Sequence, residues 1–140
     1  MSAPIANWPA ARRGYGFMVR TYYTRHHLGL DLLVPIGTWV LSPGPGGCWK
    51  TPGPESGVCI TYKPDKVDVL IRFMHLSRYG HLGRVEAGTI MAYSGASGLA
   101  SPPGRPPTPQ LHIDISKHEL QLNNLANFLD PETFDWGNLG

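Results

Sequence analysis

Gln110-Leu111-His112-Ile113-Asp114-Ile115 is the stretch on which the reading of this chain turns. Successive side chains of an extended strand leave opposite faces, so Leu111, Ile113 and Ile115 share one face and Gln110, His112 and Asp114 the other. The first face can anchor in a core while the second presents an imidazole to a site. Asp114 either orients an imidazole through a hydrogen bond or stands as an exposed charge. Far upstream, His27-Leu28-Gly29-Leu30-Asp31 supplies a second imidazole and a carboxylate. Between them lies Phe73-Met74-His75-Leu76-Ser77, whose His75 could do proton work.

Working outward, the pattern stays short, apolar and interrupted. Leu28, Leu30 and Leu32 alternate with His27, Gly29 and Asp31, which predicts a strand within the segment from Tyr22 to Val40. Further strands are expected at Trp39-Val40-Leu41, at 47–51 and 57–62 as a hairpin, from Val67 to Met74, and from Ile90 to Tyr93. Ser94-Gly95-Ala96-Ser97-Gly98 reads as a tight loop, and Pro102 to Pro109 as a stiff, largely polyproline-like excursion. Leu122, Leu125, Phe128 and Leu129 predict a short helix over Asn123 to Leu129, closed by Pro131. Residues 1–19 read as an N-terminal arm and 20–140 as one domain. The fold class is therefore mainly β: a compact antiparallel domain with one short C-terminal helix.

Composition agrees. Charged residues make up 16% of 140, whereas Gly (17) and Pro (14) are abundant, which favours short strands and many turns over long helices. A chain of this size buries about two-thirds of its unfolded surface. A net charge of +2, with only Arg12-Arg13 adjacent, argues against nucleic acid as a partner. No segment approaches the ~20 apolar residues needed to span a membrane. Met1 to Ala11 has no leader-like apolar run, so work outside a cell would need another route of export. The cysteines, Cys48 and Cys59, flank a hairpin expected to centre near Gly53-Pro54. That centring sets them roughly opposite each other, so either a disulfide or two half-buried free thiols is feasible.

His27, Asp31 and His112 make a two-His, one-carboxylate set suited to a catalytic zinc, with a fourth position open for water. Residues four apart on a straight strand lie roughly 13 Å from each other, too far to share one ion. The backbone must bend between His27 and Asp31, and Gly29 is the residue best able to allow it; a helical turn is the weaker alternative. His26 would point away from His27 as a structural residue, while His81 and His118 have loop-like, solvated surroundings.

The order of these pieces resembles a known family. His27-Leu28-Gly29-Leu30-Asp31, Met74-His75-Leu76-Ser77, Gly88-Thr89-Ile90, Ser94 to Gly98 and Leu111-His112-Ile113-Asp114 follow the pattern of the lysostaphin-like (LytM-type) zinc metallo-endopeptidases, over about residues 20–130. That pattern runs His-x-Gly-x-Asp, His-Leu-Ser, a Gly-rich turn and His-Leu-His-Phe-Glu. The resemblance implies a LytM-like (duplicated-hybrid-motif) β domain with a groove across the sheet, and zinc on His27, Asp31 and His112. It implies His75 as catalytic base or transition-state stabiliser, and a catalytic histidine where this chain has Gln110. A carboxamide can donate a hydrogen bond but cannot relay a proton, so activity could be reduced. The family also carries a tyrosine ahead of the first zinc histidine, for which Tyr22 and Tyr23 both stand near the place.

The expected function is a zinc-dependent peptidoglycan endopeptidase acting on cell-wall peptide stems, phage-encoded and associated with a virion tail or with lysis. Other tail proteins are then expected partners, and the virion or the cell wall the place of action. The competing expectation is a catalytically weak or inactive tail component or peptidoglycan-binding protein that keeps the zinc site. The Pro102–Pro109 loop is expected to wall the groove, with Arg105 available to a substrate carboxylate.

Overall fold

The computed structural model describes residues 3–21, 24–117 and 125–140. Among these residues ten strands form one antiparallel system: β1 (Arg12–Arg13), β2 (Gly29–Leu33), β3 (Trp39–Leu41), β4 (Gly46–Lys50), β5 (Val58–Pro64), β6 (Leu70–Tyr79), β7 (Gly83–Val85), β8 (Ile90–Ser94), β9 (Leu111–Ser116) and β10 (Phe128–Leu129). The order is β1-β2-β9-β6-β5-β4-β7, with β10 also on β9, and β8 joining β3 to β6. The mainly antiparallel β fold expected from the sequence is the fold adopted.

Two central strands organise everything else. β9 lies between β2 and β6, with Leu30 and Phe73 opposite Ile113, Leu32 opposite Leu111, and Ile71 opposite Ile115. These apolar side chains, with Ile60, Tyr62 and Met91, form the core on one face of the sheet. Each such side chain contributes about 1.5–3 kcal/mol by leaving water. The period of two then assigns the remaining positions to the other face. Asp31 and Met74 flank His112, and Gly29 and Arg72 flank Asp114. β6 serves two neighbours in turn: Leu70–Met74 pairs with β9, and Leu76–Tyr79 with β8. The pairing shifts register around His75, which has φ +62°.

Three expectations need correction. The strand containing Asp31 begins at Gly29, not near Tyr22; Tyr22 and Tyr23 lie outside the described residues. Among the described residues the expected helix ending at Leu129 is not formed, and the C-terminal region has only short 3-10 turns. Leu125–Asn127 makes a single 3-10 turn, and Phe128–Leu129 pairs with Ser116 and Ile115 of β9 instead; Asn123 and Asn124 lie outside the described residues. Sheet pairing there captures the apolar residues that would have lined a helix face. The cysteines are free. In the β4–β5 hairpin Cys48 faces Tyr62, and the Thr51 amide donates to the Cys59 carbonyl. The hairpin closes through a Gly53–Gly57 bridge, so its centre is displaced from Gly53-Pro54 and the thiols are out of register. Within the expected N-terminal arm, Ile5 is buried in the core and Arg12–Arg13 pair with Leu32–Leu33.

Candidate metal centre

β2 and β9 set Asp31 directly opposite His112, and their side chains meet on the polar face with His112 Nδ1 2.8 Å from Asp31 Oδ1. His27 arrives from irregular backbone just ahead of β2. Its amide donates to the Val19 carbonyl (3.0 Å), and its own carbonyl accepts from Met18 (2.6 Å). From there His27 Nε2 reaches to 3.3 Å from the same Asp31 oxygen. One donor atom from each of His27, Asp31 and His112 lies within 4.8 Å of the others, and all three residues are buried. The curve that unites them thus lies before the strand.

Gly29 has a different task from the one its sequence position suggests. A Cβ there would overlap the Ile113 carbonyl and come within 2.9 Å of His112 Nε2. The glycine therefore makes room for the His112 ring, and Gly29 is absent from the residues with positive φ.

The far nitrogen of each imidazole is also bound. His27 Nδ1 lies 2.9 Å from the Gly16 carbonyl oxygen, which only accepts, so Nδ1 carries a hydrogen, and Nε2 is the nitrogen that faces Asp31 and is placed to ligate a metal. His112 Nε2 lies 3.2 Å from Asp114 Oδ2. Asp114 in turn accepts two hydrogen bonds from Arg72, Nε to Oδ1 at 2.9 Å and Nη2 to Oδ2 at 2.6 Å. Burial pulls the His112 imidazolium down, but hydrogen bonds to Asp114 and Asp31 outweigh it and push its pKa up to about 9. Burial would raise the Asp31 carboxyl, yet hydrogen bonds from His112 and His27 hold it well below the usual carboxylate range. Asp114 is likewise held low, by His112 and Arg72 against the cost of burial. A buried, converging nitrogen–nitrogen–oxygen set fits a divalent cation such as zinc.

His75 stands beside this set, its ring centroid 6.1 Å from that of His112. Its left-handed backbone costs about 1–3 kcal/mol in a non-glycine residue. Two contacts hold it there: its amide donates to the Ser56 carbonyl (2.8 Å), and Nδ1 donates to the Ser97 carbonyl (2.8 Å). Nε2 is thereby left as an acceptor. Burial, then the positive His112, lowers the His75 pKa, so the ring is neutral and able to take a proton. The Ser97 hydroxyl accepts from the Val58 amide (3.0 Å) and donates to the Leu76 carbonyl (2.7 Å), which ties the hairpin tip to the bend in β6. The Gln110 amide donates to the Gly95 carbonyl (3.0 Å); its carboxamide makes no hydrogen bond to another described residue and faces the same groove.

The groove has a volume of about 1260 Å³. The five sequence-expected site residues all lie along it, and the Pro-rich loop, through Pro102, Arg105 and Pro106, forms part of its wall. Sequence reasoning missed Tyr15, which is half-exposed in the groove with its ring edge-on to His27 at 6.0 Å. It also missed Arg72, legible only once the β6–β9 register pairs it with Asp114. His26 is exposed along the groove and not a structural residue; His81 is exposed with Nε2 3.2 Å from the Arg84 carbonyl, and His118 lies outside the described residues.

An antiparallel β domain with a buried His-Asp-His set and a fixed third imidazole on one groove has the layout of a metallopeptidase domain. Among solved structures, the chain is similar to the catalytic domain of the antimicrobial peptidase lysostaphin from Staphylococcus simulans: 25% identity, 91% of this chain, 94% of that chain, TM-score 0.75. The chain thus has the fold of the LytM-type, lysostaphin-like domains. It spans 52% of the longer lysostaphin chain. The same fold recurs in the prophage-encoded M23 protein EnpA of Enterococcus faecalis (24% identity, 95% of this chain and 97% of that chain, TM-score 0.68) and in a zinc containing peptidase from Vibrio cholerae (24%, 96% and 39%, TM-score 0.70). No protein-family model matches the sequence, and no curated protein does.

Proposed function

We propose that this domain is a zinc-dependent peptidoglycan endopeptidase that cuts peptide cross-links of bacterial cell walls. The observation that carries the reading is the convergence of His27, Asp31 and His112 on the groove floor with His75 oriented beside them. Likeness to lysostaphin and to other M23 peptidases supports a peptidoglycan substrate. Bound through His27 Nε2, Asp31 and His112 Nδ1, zinc would supply Lewis acidity toward the scissile carbonyl. Neutral His75, with Nδ1–H committed to Ser97, takes a proton from the attacking water at Nε2 and returns one to the leaving amine. Gln110 donates a hydrogen bond from its carboxamide to the developing oxyanion. Tyr15 and the Pro102–Pro109 loop hold the extended peptide between the walls of the groove.

The test is release of new peptide amines from purified cell walls, with and without a chelator. Chelator-sensitive release is the expected result; no release from any wall type by zinc-loaded protein would overturn the reading. Gln110 favours a second reading, a tail component that binds peptidoglycan and keeps the metal but cleaves poorly or not at all. Binding to walls without release would select it. For setting we propose a bacteriophage product in a virion tail or acting at lysis, among other tail proteins, supported by the prophage-encoded neighbour. Detection of the protein in purified particles would test this. Among the described residues no helix is long and apolar enough to cross a membrane.

A further inference from the structure

Asp114 is 1% exposed, and it is the one acidic residue of β9. An isolated carboxylate at such depth costs several kcal/mol, so its partners must justify its place. It has two. Arg72 approaches side-on with two nitrogens, at 2.9 and 2.6 Å, from the strand on one side. His112 Nε2 lies 3.2 Å away along the same face of its own strand. On the other side the facing position is Gly29, whose missing Cβ leaves the His112 ring its space. The sheet register thus builds a line of Arg72, Asp114 and His112 that ends at His112 Nδ1, 2.8 Å from Asp31.

We propose that Asp114, held by Arg72, is a positioning residue that fixes which nitrogen of His112 faces the metal and raises its affinity for a divalent cation. The inference rests on the zinc site put forward above. Asp31 faces Nδ1 and Asp114 faces Nε2, so without a metal either nitrogen can carry hydrogen; with a cation on Nδ1, the Asp114 carboxylate, which only accepts, keeps the hydrogen on Nε2. A negative charge behind the imidazole makes that lone pair more basic. Arg72 prevents Asp114 from rotating toward the ion and becoming a ligand itself, because both carboxylate oxygens are already engaged.

The experiment measures zinc affinity by chelator competition for the intact chain and for two altered chains. Asp114→Asn keeps the size of the side chain but removes the charge. The pair Arg72→Met with Asp114→Leu removes both charges at once, which avoids a stranded buried cation and tends to be neutral for folding. Both altered chains should bind zinc about 10–100-fold more weakly, and Asp114→Glu should recover most of the loss. Nitrogen-15 NMR of the zinc-loaded wild type should show the His112 proton on Nε2; in the double variant that resonance should shift or broaden. Folded double variant with zinc affinity within twofold of wild type would overturn the proposal while leaving the zinc reading intact. A wild-type chain that binds no zinc would overturn both.

Discussion

At the metal corner of the groove each ring nitrogen of His27 and His112 has a partner within 3.3 Å: Gly16 and Asp31 for one, Asp31 and Asp114 for the other. At the proposed proton-transfer corner His75 is held by Ser56 and Ser97 in a left-handed backbone, but Gln110, which lines the same groove, has a carboxamide bonded to no described residue. Both corners share one groove floor, yet only the first is anchored on two strands in direct register. The difference predicts that, on the proposed function, metal binding and proton transfer are separable. Asp31 and His112 are positioned by β2 and β9, with His27 brought in from the backbone just ahead of β2, whereas His75 depends on a bend in β6 and a loop laid over it.

The largest effect should come from the metal corner. His112→Ala removes the ligand that Asp31, Asp114 and Arg72 all serve, so zinc binding and cell-wall cleavage should both be lost, as read by metal analysis and peptide release. His75→Ala should leave zinc affinity within about twofold and lower turnover by about 10²–10⁴-fold, the usual worth of an acid–base group. Loss of metal from the His75 variant would erase the separation between the corners. Relief of the φ +62° backbone is not expected to stabilise the variant much, since alanine is strained there as well.

The pH dependence of the metal-free protein sharpens the same contrast. His112 has a folded pKa of about 9, above its ordinary 6.5. Its ion pairs are thus fully present below pH 6.5 and are lost as pH rises through 9. The amount is of order 3 kcal/mol. Asp31 and Asp114 are held below 3.8, so their contribution is present above that pH and disappears as pH falls through their folded values. His75 acts in the opposite sense to His112: burial penalises its charged form, and stability drops as pH falls below 6.5. Thermal melts with chelator should therefore decline between pH 6.5 and 9. With saturating zinc the decline should flatten, because binding requires Nδ1 without its proton. A flat profile without metal would show that the carboxylates do not grip His112.

How much of this was legible in the sequence follows from what each feature depends on. The β9 alternation and the His-Asp-His set could be read because a period of two and a choice of ligand types are local properties. Gly29 was recognised as necessary but for the wrong reason: a bend is a local inference, whereas the collision with Ile113 and His112 exists only after β2 and β9 have paired. The cysteines fail in the same way. A small displacement of the hairpin centre moves Cys48 opposite Tyr62, and no residue type announces that offset. Phe128 and Leu129 carry apolar spacing that suits a helix, but β9 has an open edge that takes them as a strand. Arg72 and Tyr15 needed the tertiary register and the path of the loop before His27, respectively.

The smallest effect, and the most informative about the proton-transfer corner, is expected from Gln110→His. On the proposed function the carboxamide supplies a hydrogen-bond donor from this position, so the imidazole would add only the ability to shuttle a proton. His75 is neutral and has Nε2 free to do that already. The variant should therefore gain about tenfold or less in turnover on cell walls, about 1.4 kcal/mol, with no change in zinc affinity. A gain of several hundredfold would mean that His75 alone is a poor base and that Gln110 is the main brake on the enzyme. Loss of activity would mean that the Gly95-paired backbone at 110 places the carboxamide for a contact that an imidazole cannot reproduce. In that case the groove has been rebuilt around the amide, and the asymmetry between the two corners is a working feature of the catalyst.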